Sequence, residues 1–277
     1  MKRIFFIGGM ILAVAAASHA QVKMPPPAPS QVITQEFALG TIELSYSRPT
    51  LKAKNIFGDL VPYNKLWRTG ANGATIITFS DAVEIGGKKI DAGAYALYSI
   101  PREDSWEIIL NKGIKNWGTA GYKESEDLVH FSVLTKNIRS VVETLTMQFA
   151  NITAETCELQ ITWGYTTVAI PIKAKIKERL RNDIERAMAT DTKPYWSAAQ
   201  FYYEYELNYT KALENIKAAV AANPKACYMW LYKAKIEKDM GDKTAAMASS
   251  QRSLQLAREA KDEDYVIMNE DLQKKLK

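Results

Sequence analysis

The hydrophobic pattern changes period once along the chain. From Gln31 to about Ile176 apolar residues alternate with polar ones, and beyond that they recur every three or four positions. In the alternating part, Val32–Phe37 and Thr41–Ser47 read as a hairpin turning at Leu39-Gly40, with Ile42, Leu44 and Tyr46 on one face. Arg48-Pro49 ends the second strand, because a residue before proline is restricted. Leu51 to Lys65 is irregular, broken by Gly58-Asp59 and Pro62. Strands are expected at Ala74–Phe79, Val83–Ile85, Lys88–Ile90, Ala94–Ile100 and Trp106–Asn111, with a tight turn at Gly86-Gly87. A long loop, Lys112 to Val129, carries Trp117, Gly118, Gly121, Tyr122 and the acidic run Glu124 to Asp127. Four more strands are expected at His130–Leu134, Val142–Phe149, Glu155–Trp163 and Thr167–Ile176. Short alternating strands with turns between them predict an antiparallel β-sandwich or jelly-roll-like domain over 31–174.

The helical part begins with Ile176, Leu180, Ile184 and Met188, four apart, which is an amphipathic helix. Trp196 and Trp230 are then 34 residues apart, as are Ala212 and Ala246, which is the period of the tetratricopeptide repeat. Trp196, Ala199, Tyr203, Ala212, Ile216, Ala219 and Pro224 suit a first unit. Trp230, Ala234 and Ala246 suit a second, but Lys233, Glu237 and Ser250 are polar where apolar groups are expected, so this unit should stack weakly. A last helix should put Tyr265, Met268, Leu272 and Leu276 on one face. The expected fold is therefore α+β, with a helical tetratricopeptide-like array over 175–277. So few repeats rarely stand alone, so the array should lean on the helix before it and on the β domain.

Ahead of both parts stand Met1-Lys2-Arg3, an apolar run Ile4–Ala17 and Ser18-His19-Ala20. That is a secretory signal peptide (1–20) with cleavage expected after Ala20, and its apolar run is too short to span a bilayer. The mature protein is expected in the periplasm or secreted, with no transmembrane segment. Residues 21–30 hold Pro25, Pro26, Pro27 and Pro29, an extended spacer. The two domains should separate by proteolysis near Arg179 to Lys193.

Charge and chemistry narrow the function. Residues 21–174 carry 15 basic and 15 acidic side chains, and residues 175–277 carry 19 and 16. Neither balance suggests nucleic acid. Beyond the signal peptide the chain has one histidine, His130, and two cysteines, Cys157 and Cys227. No His-rich or multi-Cys metal site, and no cofactor, is implied. The cysteines fall in different domains and read as free thiols. His130 at a strand start reads as structural, and the acidic run reads as a solvated rim, its spacing matching no calcium loop.

Trp67-Arg68-Thr69-Gly70-Ala71-Asn72 is the stretch richest in chemistry. Arg68 offers five donors in a planar fork and is always charged, so beside Trp67 it suits an anion or a sugar-like ligand. The structural alternative has Trp67 plugging a core and Arg68 pairing with a buried acid. Gly70, through positive φ, and Asn72 would then make the turn. The candidate ligand site is Arg48, Trp67, Arg68, Thr69, Asn72, Trp117 and Tyr122, with no catalytic residue assigned. Tyr202, Tyr205, Tyr209, Tyr228 and Tyr232 are the candidate partner-binding residues.

Ser47-Arg48-Pro49, Ile56-Phe57-Gly58, Leu60-Val61-Pro62, Trp67 to Asn72, Ala92 to Tyr95, Ile100-Pro101 and Trp106 together resemble the domain-of-unknown-function 2911 family, over about Ser30 to Ile172. The resemblance implies an exported bacterial protein and no particular activity. That family often has an acid after the Asn, where this chain has Gly73.

Three functional readings follow. In the first, an envelope binding or assembly protein holds a small polar or saccharide ligand in the β domain and docks a protein on the repeats. In the second, a hydrolase of a carbohydrate or other envelope polymer works through two carboxylates drawn from Asp81, Glu84, Asp91, Glu103, Asp104 and Glu107. In the third, the β domain is purely structural and all recognition lies in the repeats.

Overall fold

A computed structural model describes residues 24–51 and 55–277. The expected signal peptide and the start of the expected spacer lie outside the described residues. The β part is a nine-stranded antiparallel sheet in the order β1-β2-β3-β6-β7-β8-β9-β4-β5. Its strands are β1 (Ser30–Phe37), β2 (Gly40–Ser47), β3 (Thr75–Phe79), β4 (Val83–Ile85), β5 (Lys88–Ile90), β6 (Gly93–Pro101), β7 (Ser105–Asn111), β8 (Asp127–Ala150) and β9 (Thr156–Lys173). The alternation places the core correctly. Ile42, Leu44 and Tyr46 of β2 and Val168, Ile170 and Ile172 of β9 are all buried, as period two demands.

Both ends of the sheet enter one core, since Phe37 of β1 and Ile90 of β5 belong to the same apolar cluster. Polar ties hold the fold closed. The Tyr46 hydroxyl accepts from the Met147 amide at 2.9 Å, and the Leu145 amide donates to the Pro49 carbonyl at 3.0 Å.

Two corrections concern the strands. The four strands expected after the long loop are two, β8 and β9. Register shifts in β8 between Asn137 and Thr146, and a positive φ at Gly164 in β9, break the alternation without ending the strand. The first hairpin turns through Ala38 (φ 55°), one residue earlier than expected.

The helices are α1 (Lys177–Met188), α2 (Tyr195–Glu204), α3 (Tyr209–Ala222), α4 (Cys227–Asp239), α5 (Lys243–Ala260) and α6 (Glu263–Leu276). Asn208, Asp242 and Asp262 cap three of them by accepting an amide of the first turn. Successive helices pack against one another, with Ala199, Ala212, Ala234 and Ala246 fully buried where they approach closely. The chain therefore has an α+β architecture, a large antiparallel sheet followed by six helices. No helix among the described residues is long and apolar enough to cross a membrane.

α1 joins the two parts. Leu180 packs against the β core, and Ile184 packs with Ala198 and Phe201 of α2. Arg179 pairs with Asp81 at 2.8 Å and Arg181 with Glu206 at 2.6 Å, both at the surface.

The polar residues of the second hairpin are satisfied internally. Lys233 pairs with Glu237 at 2.7 Å, and Ser249 accepts from Lys233 and donates to Glu237. Ser250 donates to Asn269 Oδ1, Asn269 donates to Ser253, and Ser253 donates to the Cys227 carbonyl. α6 is accordingly rotated from expectation, burying Asn269 while Met268 is 48% exposed.

Lys233→Met leaves Glu237, 4% exposed, without its cation. It should cost about 3 kcal/mol, and the double variant Lys233→Met/Glu237→Leu should recover most of that loss. Urea unfolding of the two variants checks both. Both cysteines are free, and burial pushes the Cys157 thiol up to about 11. Cys157 should resist alkylation at pH 8 in the native protein and react once the protein is unfolded, as read by mass spectrometry.

Candidate functional site

Trp67 is fixed from both sides. Its amide donates to the Ser99 carbonyl at 2.7 Å and its carbonyl accepts from the Ser99 amide at 2.9 Å, which hooks the irregular segment onto β6. Its indole stacks on Trp163 at 6.2 Å and meets Phe57 and Trp106 edge-on at 5.9 and 5.6 Å. The indole N–H donates to the Gly70 carbonyl at 3.0 Å. Trp67 thus plugs the core, as the structural alternative expected. Trp106, deeper in the cluster, is 1% exposed, and its indole N–H has no acceptor among the described residues.

The turn is built differently from expectation. Asn72 is left-handed (φ 61°), as its residue type allows, but the other positive φ falls on Thr69 (52°) and not on Gly70. Gly70 is instead a close approach, where a Cβ would stand 3.0 Å from Thr75 Oγ1 and 3.3 Å from the Ser47 carbonyl oxygen. The left-handed Thr69 is held by its neighbours. Its hydroxyl bonds Ser99 Oγ at 2.9 Å, and its carbonyl accepts from Thr75 Oγ1 at 2.7 Å. Asn72 donates to the Ala28 carbonyl and to Ser47 Oγ, tying down the start of the domain.

Arg68 is half-buried and donates through Nη1 to the Asn72 carbonyl at 2.8 Å. Gly118 lies against the guanidinium, where a Cβ would come within 2.7 Å of Nη1 and 2.9 Å of Cζ. Among the described residues no carboxylate forms an ion pair with Arg68. The expected pairing with a buried acid is therefore absent from them.

Beside Arg68 opens a cavity of about 400 Å³. Leu60, Val61, Pro62, Leu66, Trp67 and Trp163 give it an apolar wall, and Lys65, Arg68, Asn72 and Thr119 supply its polar side chains. Its charged liners are both cations. Lys65, Leu66 and Trp163 were not singled out by sequence reading. Lys65 and Leu66 sit in an irregular segment with no pattern to mark a face, and Trp163 read only as a core residue in a strand.

The loop over the cavity is tied down by buried polar groups. Asn111, fully buried, donates to the Lys123 carbonyl and to Asp127 Oδ1. Tyr98 donates to the Gly118 carbonyl at 3.2 Å and accepts from Asn116. Tyr122 packs edge-on against Tyr98 and donates to Asp127 at 2.6 Å; burial, and then Asp127, push its phenol well above the ordinary tyrosine range. Trp117 is 71% exposed on the same loop. Thus Trp67, Arg68 and Asn72 line the cavity, Thr69 braces it from behind, and Tyr122 anchors its covering loop. Arg48 points elsewhere, donating to the Leu145 carbonyl and to Thr146 Oγ1 at 3.0 Å each.

The six carboxylates considered for hydrolysis lie outside this cavity. Asp81 meets Arg179, Glu84 meets Lys175, Asp91 meets Lys89, and Glu107 sits between Arg102 and His130. Asp104 accepts from Ser105, and the Glu103 carbonyl accepts from Thr135.

The helical tyrosines divide into two groups. Tyr232 meets Trp196 and Tyr203 edge-on at 4.9 and 5.3 Å, Tyr228 meets Trp196 at 5.3 Å, and Tyr209 meets Tyr203 at 5.7 Å. The Tyr232 hydroxyl donates to Glu204 and that of Tyr203 to Asp239. Tyr205 and Tyr202 pack on Phe201, and Tyr205 also touches the β core. Tyr205 is therefore part of the junction between sheet and helices.

Gly118→Ala forces a Cβ onto a residue at φ +66° and into the Arg68 guanidinium. It should destabilise by about 1–3 kcal/mol. Trp67→Ala empties the aromatic cluster and should cost about 3–5 kcal/mol. Urea unfolding monitored by circular dichroism checks both.

No curated protein and no solved structure matches the chain. The model of one family, described as a protein of unknown function (DUF2911), matches residues 28–172, which covers the sheet to within one residue of the end of β9 and includes the described lining of the cavity. The chain belongs to the DUF2911 family.

Proposed function

We propose that this is an exported binding or assembly protein of the bacterial cell envelope, whose β domain holds a small polar or saccharide ligand and whose helices dock another protein. The observation that carries this reading is the cavity of about 400 Å³ beside an Arg68 without an acid partner among the described residues. A pocket of that size, with an apolar wall and a few placed polar groups, is the usual form of a small-molecule site. Among the described residues its lining presents no carboxylate, thiol or imidazole, which favours holding a ligand over cleaving one. We read the sheet as a sandwich of jelly-roll-like character. We read α2 to α5 as two tetratricopeptide-like hairpins with α6 as their cap. The 34-residue spacing and the buried alanines at the helix crossings support that reading. The edge-packed rings of Trp196, Tyr203, Tyr228 and Tyr232 then form the surface offered to a protein partner.

Ala71 lines the cavity without contributing a polar side chain. Ala71→Phe should fill it and abolish small-ligand stabilisation in a thermal-shift screen of polar metabolites and saccharides, with little change in fold. A screen in which no compound stabilises the mature protein, or in which the hits are indifferent to Ala71→Phe, would count against a ligand site here.

A further inference from the structure

We infer that the cavity beside Arg68 selects an organic anion: a carboxylate or phosphate head on a compact apolar body, rather than a neutral sugar. This rests on the cavity being a ligand site at all.

Three observations lead there. The charged liners, Lys65 and Arg68, are both cations, and no acid among the described residues lines the cavity to neutralise them. The Arg68 fork is oriented before any ligand arrives. Nη1 is held by the Asn72 carbonyl at 2.8 Å, and Gly118 lies against the guanidinium, closer than any side-chain-bearing residue allows. A guanidinium fixed in this way has donors left over from its five, and it loses little freedom on meeting an anion. Much of the remaining wall is apolar. Leu60, Val61, Leu66 and Trp67 offer few groups able to pair the hydroxyls of a sugar. Sugar hydroxyls facing that wall would lack partners there, whereas an alkyl or aromatic body would need none. Head and body together match the two kinds of group that line the cavity. The fork suits the paired oxygens of a carboxylate or phosphate, and the space accommodates a body of about the size of one or two rings.

The test uses the mature protein and isothermal titration calorimetry with three probes sharing a phenyl body: 3-phenylpropionate, phenyl phosphate and the neutral 3-phenylpropanamide. At least one anion should bind about tenfold or more tighter than the amide. Arg68→Gln should remove that advantage, Arg68→Lys should keep part of it, and Lys65→Gln should weaken binding less than Arg68→Gln. Ala71→Phe should block all three probes while leaving Arg68 in place, so that a folding defect in the arginine variants does not decide the result. Raising salt from about 0.05 to about 0.5 M should weaken the anions and not the amide. If the amide binds as tightly as both anions, or if Arg68→Gln leaves the anions unaffected, the anion inference is wrong while the ligand site stands. If none of the three binds, or if binding survives Ala71→Phe, the anion inference is wrong, and the ligand-site reading falls with it only if the thermal-shift screen also finds no compound sensitive to Ala71→Phe.

Discussion

Trp67 is the residue on which the rest of the β domain's loop architecture depends. The described residues of the segment between β2 and β3 form no strand of their own, so their backbone polar groups need partners from elsewhere. Two hydrogen bonds to Ser99 supply them at one point, and the indole buried against Phe57, Trp106 and Trp163 makes that point immobile. The neighbouring residues inherit their positions from it. Thr69 is driven into a left-handed conformation, Gly70 passes close to Ser47 and Thr75, and the Arg68 side chain is turned toward the Asn72 carbonyl. Structural and functional readings of this run are therefore not rivals. Trp67 serves the fold, and by doing so it presents Arg68.

The two halves of the chain handle polarity in opposite ways. In the β domain the interior is apolar, and its polar ties concentrate where irregular backbone must be fixed, as at Asn111 and Thr69. In the helical part, polar groups run through the contact between α4, α5 and α6. Glu237 is buried with Lys233 and Ser249, and Asn269 with Ser250 and Ser253. Such contacts add little net stability over apolar packing, but their geometry accepts one register of α6 and rejects the one that would bury Met268. α1 belongs to both halves, with Leu180 in one core and Ile184 in the other.

Period-two and period-four patterns made most of the fold legible, because burial on one face is what creates those patterns. β2, β4, β5 and β7 fall within a residue of expectation, and so does the start of α1. What the pattern hid was continuity. A bulge and a left-handed Gly164 shift the alternation and imitate strand ends, so β8 and β9 looked like four strands. At the candidate site, Trp67, Arg68 and Asn72 were legible as residue types with special chemistry. Lys65, Leu66 and Trp163 were not, because they reach the cavity only through tertiary folding. Arg48 had the same chemistry as Arg68 and went instead to the Leu145 carbonyl, a difference that no local feature encodes.

Whether Arg68 is held for the fold or for a ligand is settled most directly by the equilibrium urea unfolding of mature wild-type protein and Arg68→Ala. With one charge-assisted hydrogen bond to lose and no acid left stranded, the variant should be less stable by about 1–2 kcal/mol. A loss of about 3–5 kcal/mol, the cost of breaking a buried ion pair, would make Arg68 a lock of the fold and contradict its assignment to a ligand.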